Sequence, residues 1–189
     1  MNDIEEQILY KKNDFTFKKS EESVYNLSFT IKNDYIDLPS IITFEFIKAF
    51  LTLNTNIYER FEFMQMNPQE ATISILFKHF FQDLGLLQKY AYLHIYKNIM
   101  EQKITFTCVS LHADKPSFIP NNIQLLNIDT IKCDCNIITH HDINFQIKII
   151  LNNDVVIPNF AEEIIGIWLY KIVKRLKQFI ETLKNTIKE

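Results

Sequence analysis

Glycine is almost missing from this chain: Gly85 and Gly166 are the two in 189 residues. Standing alone, neither can build a Gly-rich phosphate loop, a dinucleotide fingerprint or a nucleophile elbow, so those three classes of site are excluded. Cysteine is sparse and odd in number, three in all, which excludes a disulfide framework and fits a reducing interior. A basic excess is missing too: 20 Lys and Arg stand against 23 Asp and Glu, a net charge of −3. Phosphate recognition draws on clustered positive charge, so nucleic acid is not an expected partner. No apolar run reaches the roughly 18 residues of a membrane span, and no transmembrane segment is expected. The opening "MNDIEEQILYKKNDFTFKK" lacks the apolar core of a signal peptide, and its Asp3, Glu5 and Glu6 do not suit a transit peptide.

What is present is a 47% apolar chain, enough to bury one core. We read residues 1–22 as a charged leader with one or two helical turns over 4–10, and 23–189 as a single domain. Abundant Ile, Asn, Lys and Phe beside little Gly and Pro is the bias of an AT-rich genome, such as an organelle, an endosymbiont, a large virus or a protist. The expected location is the plastid stroma for a plastid-encoded chain and the cytoplasm otherwise.

Strand periodicity dominates. "YNLSFTI" alternates Tyr25, Leu27, Phe29 and Ile31 with polar residues, the pattern of a half-buried strand. A helix is predicted after Pro39 and Ser40, with Ile42, Phe46, Ile47 and Phe50 at helical spacing. Period two then returns: Ile57, Phe61 and Phe63; Ile73, Ile75, Phe77 and Phe81; Leu93, Ile95 and Ile99; Ile104, Phe106 and Cys108; Ile131, Cys133, Cys135 and Ile137; Phe145, Ile147, Ile149 and Leu151. Turns are predicted at 83–85 and 140–142. One wet and one dry face on each strand predicts an antiparallel meander.

The chain closes on "VIPNFAEEIIGIWLYKIVKRLKQFIETL". Asn159 with Glu162 three residues on has capping-box spacing, and Ile165, Trp168, Leu169, Ile172, Leu176, Phe179, Ile180 and Leu183 form an apolar stripe. Lys171, Lys174, Arg175 and Lys177 make a basic, solvated back. The fold class predicted is α+β: six or seven antiparallel strands with one long helix, 160–187, across their apolar face.

This order of elements resembles the START-related helix-grip superfamily. The "IP" before the last helix, "G.WL" within it and "V.RL" after it resemble an uncharacterised helix-grip family of cyanobacteria and plastids. The resemblance spans about residues 23–183. It implies a cavity between helix and sheet that holds lipids, pigments, hormones or sterols, and it implies no shared catalytic set.

Other chemistry reads weakly. "CDCNIITHHD" places Cys133, Cys135, His140 and His141 close together, but C-x-C on a strand turns both sulfurs to one face with little reach, unlike a zinc knuckle. His79 and His94 with Asp83 could supply acid and base, yet their registers point the two imidazoles to opposite faces and no nucleophile accompanies them. No catalytic residue, metal or cofactor is expected.

The function expected is carriage of a hydrophobic small molecule (lipid, isoprenoid or pigment). Its site would put Ile165, Gly166, Trp168, Leu169 and Ile172 across a gap from Phe61, Phe63, Phe106 and Ile147. The competing expectation is an interaction or assembly factor with a filled core and a protein partner.

Overall fold

The computed structural model describes residues 6–79 and 87–183. Three strands open it, β1 (Gln7–Lys12), β2 (Phe15–Glu21) and β3 (Val24–Lys32), followed by helices α1 (Leu38–Ile41) and α2 (Phe44–Thr52). The meander comes next: β4 (Tyr58–Asn67), β5 (Glu70–Phe77), β6 (Lys89–Met100) and β7 (Lys103–Ser110). A two-residue strand β8 (Gln124–Leu125), long strands β9 (Ile128–Thr139) and β10 (Asp142–Leu151), and helix α3 (Asn159–Thr182) complete the chain.

The strands form one sheet in the order β1-β2-β3-β10-β9-β7-β6-β5-β4, with β8 paired parallel to β6. Every other pairing is antiparallel. The fold class is α+β as predicted, but the sheet has ten strands rather than six or seven.

The difference begins in the segment read as a leader. Residues 7–21 are β1 and β2 rather than helical turns. Asn13, at φ 54°, turns one into the other, and a two-residue loop with positive φ suits the twist of paired strands. Phe15 and Phe17 are buried. The eye is misled there because lysines and glutamates fill the outward positions.

The predicted helix after Pro39 is two helices. Thr43 is extended, at φ −126° and ψ −177°, and separates α1 from α2. The turn predicted at 83–85, with Phe81 and Asp83, lies outside the described residues.

All the odd-numbered apolar residues of β3, Tyr25 to Ile31, face the same side as the helices and are buried. Phe29 stacks on Phe145 at 4.8 Å, and Phe46 of α2 stacks on Phe145 at 6.2 Å. Such pairs add about 0.5–1.5 kcal/mol each beyond the area they bury. Phe44 of α2 packs edge-on to Phe106 and tilts toward Phe63. The other side of the sheet carries a smaller core, in which Leu76 and Tyr90 are roofed by Ile119 and Ile123. Lys115 secures that roof by donating to the carbonyls of Pro120, Asn121 and Ile123.

Candidate functional site

Helix α3 is fastened along one side and propped on the other. Glu162 of its first turn is 2% exposed and accepts hydrogen bonds from Lys19 Nζ and Tyr25 Oη, both at 2.7 Å. The capping box predicted for Glu162 is therefore absent: Pro158 occupies the cap position, without a side-chain bond to the helix. One turn on, Gly166 lets Tyr10 and Phe17 pack directly against the helix backbone. Tyr170 packs with Tyr10 and Phe15. Lys177 binds Asp14 at 2.6 Å, and Asn33 Nδ2 donates to the carbonyls of Ile180 and Leu183.

On the far side, Arg175 donates to Asn54 Oδ1 and Asn56 Oδ1 in the turn before β4. Arg175 and Lys177 thus hold the helix in place, where the sequence suggested a wholly solvated basic back.

At 100° per residue, Ile165, Leu169 and Ile172 fall between these two sets of fastenings. They look down on the middle of the sheet. Residues there should be the most deeply buried of all, and at both ends of the sheet they are. Phe145 and Cys135 are buried one row along, Leu151 and Ile128 one row the other way, and Tyr25, Leu27, Ile95 and Phe106 on the flanking strands.

Inside that ring, Cys108, Ile131, Cys133, Ile147 and Ile149 are only half-buried. They are contiguous: Ile147 pairs with Cys133, Ile149 with Ile131, and Cys108 with Ile131. All five pack against the main core and are less covered than the residues around them. The other end of the interface is tight. Between Ile31, Leu38, Ile42, Phe145 and Ile180 no space large enough for a water molecule remains.

This half-buried island is uncharged. Burial, then the neighbouring Cys133, pushes the Cys108 thiol up to about 12. The hydrogen bond with Cys135, Sγ to Sγ 3.8 Å, and then burial raise Cys133 well above the ordinary thiol range. Both stay protonated at neutral pH. Among the described residues no group of three or more His, Cys, Asp and Glu side chains could hold a metal ion.

The nine residues predicted to line one gap separate into three groups. Ile147, Ile165 and Leu169 are partly buried against the main core, and Ile172 is buried. Phe63 and Phe106 are covered by Phe44 of α2, and Phe61 packs edge-on with Tyr58 of its own strand β4. Gly166 faces Tyr10 and Phe17, and Trp168 lines a recess of about 150 Å³ with Asn56, Ile57, Ile172 and Arg175. Sequence reasoning left Ile131, Ile149, Cys108 and Cys133 out of the site. Their alternation marked them as inward, but which inward residues lack a cover depends on where the helices stop.

His94 lies on the opposite face, stacked on Tyr96 at 4.2 Å with its Nε2 3.7 Å from Glu70. His140 binds Asp37 at 2.5 Å and His141 Nδ1 reaches the carbonyls of Asn33 and Ile36. These histidines tie the β9–β10 turn to the segment around α1.

Solved structures share this arrangement over nearly the whole chain. The lipid transfer and protein localization domain of human StarD13 superposes with a TM-score of 0.69, over 94% of this chain and 90% of that one, at 7% identity. The fold is the START-related helix-grip. A fragment of a STAR-related lipid transfer protein from Xanthomonas axonopodis gives a TM-score of 0.64 over 94% and 99% of the two chains, at 7% identity. Human StAR-related lipid transfer protein 5 gives 0.63 over 93% and 84%, at 9% identity. In helix-grip terms α3 is the gripped helix and β1–β3 the jaw that holds it. No family model matches the chain, and no curated protein matches it. The resemblance to a cyanobacterial and plastid family rests on the sequence motifs alone.

Proposed function

We propose that this protein binds an apolar small molecule, a lipid, isoprenoid or pigment, in the space beneath Ile165 and Leu169. One observation carries the reading: the half-buried island of Cys108, Ile131, Cys133, Ile147 and Ile149 inside a ring of buried residues. A filled core, which would leave the protein an interaction or assembly factor, would bury those five side chains as deeply as their neighbours. The helix-grip likeness to domains named for lipid transfer supports the reading without fixing a ligand.

The lining sets the ligand's character. Each methylene transferred from water into such a space contributes about 0.8 kcal/mol, whereas an ion there would find no partner among these five side chains. The enclosed part of the ligand is therefore neutral and apolar, and any charged group lies outside.

Native mass spectrometry of the protein purified from its own host would identify the ligand directly. A titration of Trp168 fluorescence with fatty acids, isoprenoids and tetrapyrroles tests the site. Ile149→Trp adds bulk to the island, with Trp168→Phe in that background keeping one reporter. Saturable binding in wild type that is lost in Ile149→Trp, with melting close to wild type, supports the space. A strongly lowered melting temperature in Ile149→Trp, with no ligand response in wild type, would mean a filled core and favour the interaction reading.

A further inference from the structure

The sheet has two outer strands among the described residues, β1 and β4, and they are protected very differently. An outer strand leaves a row of backbone N–H and C=O groups without ladder partners, and proteins usually guard such rows with lysine, proline or short length. β1 is six residues long, ends in Lys11 and Lys12, and is followed across the hairpin by the Lys18–Glu6 pair. β4 is ten residues long, "YERFEFMQMN", with no lysine and no proline. Met64 is 59% and Met66 45% exposed, and Phe61 and Phe63 are half-buried.

The charges on this strand are self-complementary. Arg60 and Glu62 lie on the outer face two residues apart, 2.6 Å from each other and both largely exposed. Let a second copy pair antiparallel along β4 with a two-fold axis at Phe61. Arg60 then stands opposite Glu62 of the second copy, and Glu62 opposite its Arg60, while the two Phe61 rings meet on the other face. A two-fold axis at Glu62 would set carboxylate against carboxylate, and one at Phe63 would set Arg60 opposite Met66 and Glu62 opposite Met64. Directly opposed side chains in an antiparallel pair lie about 4.5–5.5 Å apart at Cβ, close enough for charge to choose the register.

We infer that β4 is a self-association edge, by which two copies join their sheets antiparallel with Phe61 on the symmetry axis and two Arg60–Glu62 pairs across it. The contact is isologous and closes on itself, so it yields dimers rather than filaments. Because β4 is the far edge from the jaw of β1–β3, dimerisation leaves α3 and the internal space of each copy untouched. The inference does not depend on the proposed ligand.

The test is a charge-reversal cycle read by light scattering behind size exclusion, from micromolar to hundreds of micromolar protein. Wild type should pass from monomer to dimer across that range. Arg60→Glu alone and Glu62→Arg alone each place like charges across the axis and should weaken association about tenfold or more. The double exchange, Arg60→Glu with Glu62→Arg, should restore it, while thermal melts of all four proteins show that each is folded. A wild type that stays monomeric throughout overturns the inference and leaves the edge to a strand of some other protein. A dimer indifferent to both single reversals overturns it as well, because the contact would then lie on another face.

Discussion

Gly166 of α3 and Tyr10 of β1 touch backbone to side chain: a Cβ placed on Gly166 would stand 2.7 Å from the Tyr10 Cβ and 3.1 Å from Phe17 Cδ1. Helix propensity alone favours alanine over glycine by about 1 kcal/mol, so an exposed glycine here would be stabilised by Gly166→Ala. The contact reverses the sign. Tyr10 Cβ sits next to the main chain and cannot swing away, so Gly166→Ala should cost about 1–3 kcal/mol, as overpacking does. Thermal and urea melts read the change. Tyr10→Ala in the Gly166→Ala background keeps the offending Cβ and should recover little, whereas Tyr10→Gly should relieve the clash.

Glu162 and Tyr25 give a second prediction. The buried carboxylate depends on two donors, Lys19 and Tyr25. Tyr25→Phe removes one and should cost about 1–2 kcal/mol. Glu162→Ala should cost more, because it strands the Tyr25 hydroxyl and leaves Lys19 without its anion. The side chain of Lys19 keeps 23% of its exposure, which holds the expected loss below that of a fully buried pair. Urea denaturation of both variants orders the two effects, and equal losses would show that the carboxylate does no more than accept from Tyr25.

Alkaline pH should unfold the protein through its thiols. Cys108 is raised from the ordinary 9.0 to about 12 by burial and by Cys133. A group whose folded pKa is raised contributes stability that is complete below its unfolded pKa and is lost as pH rises toward the folded one. Stability should therefore fall between about pH 9 and about pH 12. Tyr25, raised by burial and by Glu162, adds a loss of the same sign above its own ordinary value. Urea midpoints measured from about pH 8 to about pH 11 should decline less steeply in Cys108→Ala than in wild type. An unchanged slope would mean that Cys108 does not titrate differently in the two states.

Asn33 closes the other end of α3. It is 6% exposed, and its side-chain amide donates to the Ile180 and Leu183 carbonyls at 2.6 and 3.1 Å. Those carbonyls belong to the helix end, where i+4 donors run out, and the Ile180 carbonyl also accepts from the Leu183 N–H at 3.1 Å. Asn33→Ala should cost about 1–2 kcal/mol and raise the exchange of amide hydrogens near Ile180 while leaving those near Gly166 protected. Uniform loss of protection along the helix would contradict a local cap.

Most strands were legible because their signal is local. In most strands from β3 onward apolar residues mostly alternate, and a period of two can be read without knowing what covers the face. β1 and β2 are harder to read because polar and charged residues crowd them, and the cover over Phe15 and Phe17 includes Tyr170 and Gly166 of α3, some 150 residues later in the chain. The Asn13–Asp14 pair was the available clue, a two-residue turn between alternating segments. Glu162 was misread likewise. Its spacing from Asn159 satisfies a capping rule, but two donors from distant strands offer it stronger bonds than the helix end does.

By itself the sequence determined the fold class, the meander, the long final helix and which side of β3 to β7, β9 and β10 faces inward, because each follows from the order of polar and apolar residues along a few turns or strand steps. Only the tertiary structure decided which inward residues are covered. Phe106 and Ile147 stand on equivalent inward positions two strands apart, yet Phe44 of α2 lies on one, which is buried, while the other stays half-buried. That outcome depends on where α3 is fastened, at Gly166 and Glu162 on one side and Arg175 on the other. These anchors join segments more than a hundred residues apart, and no local pattern records a distance of that kind.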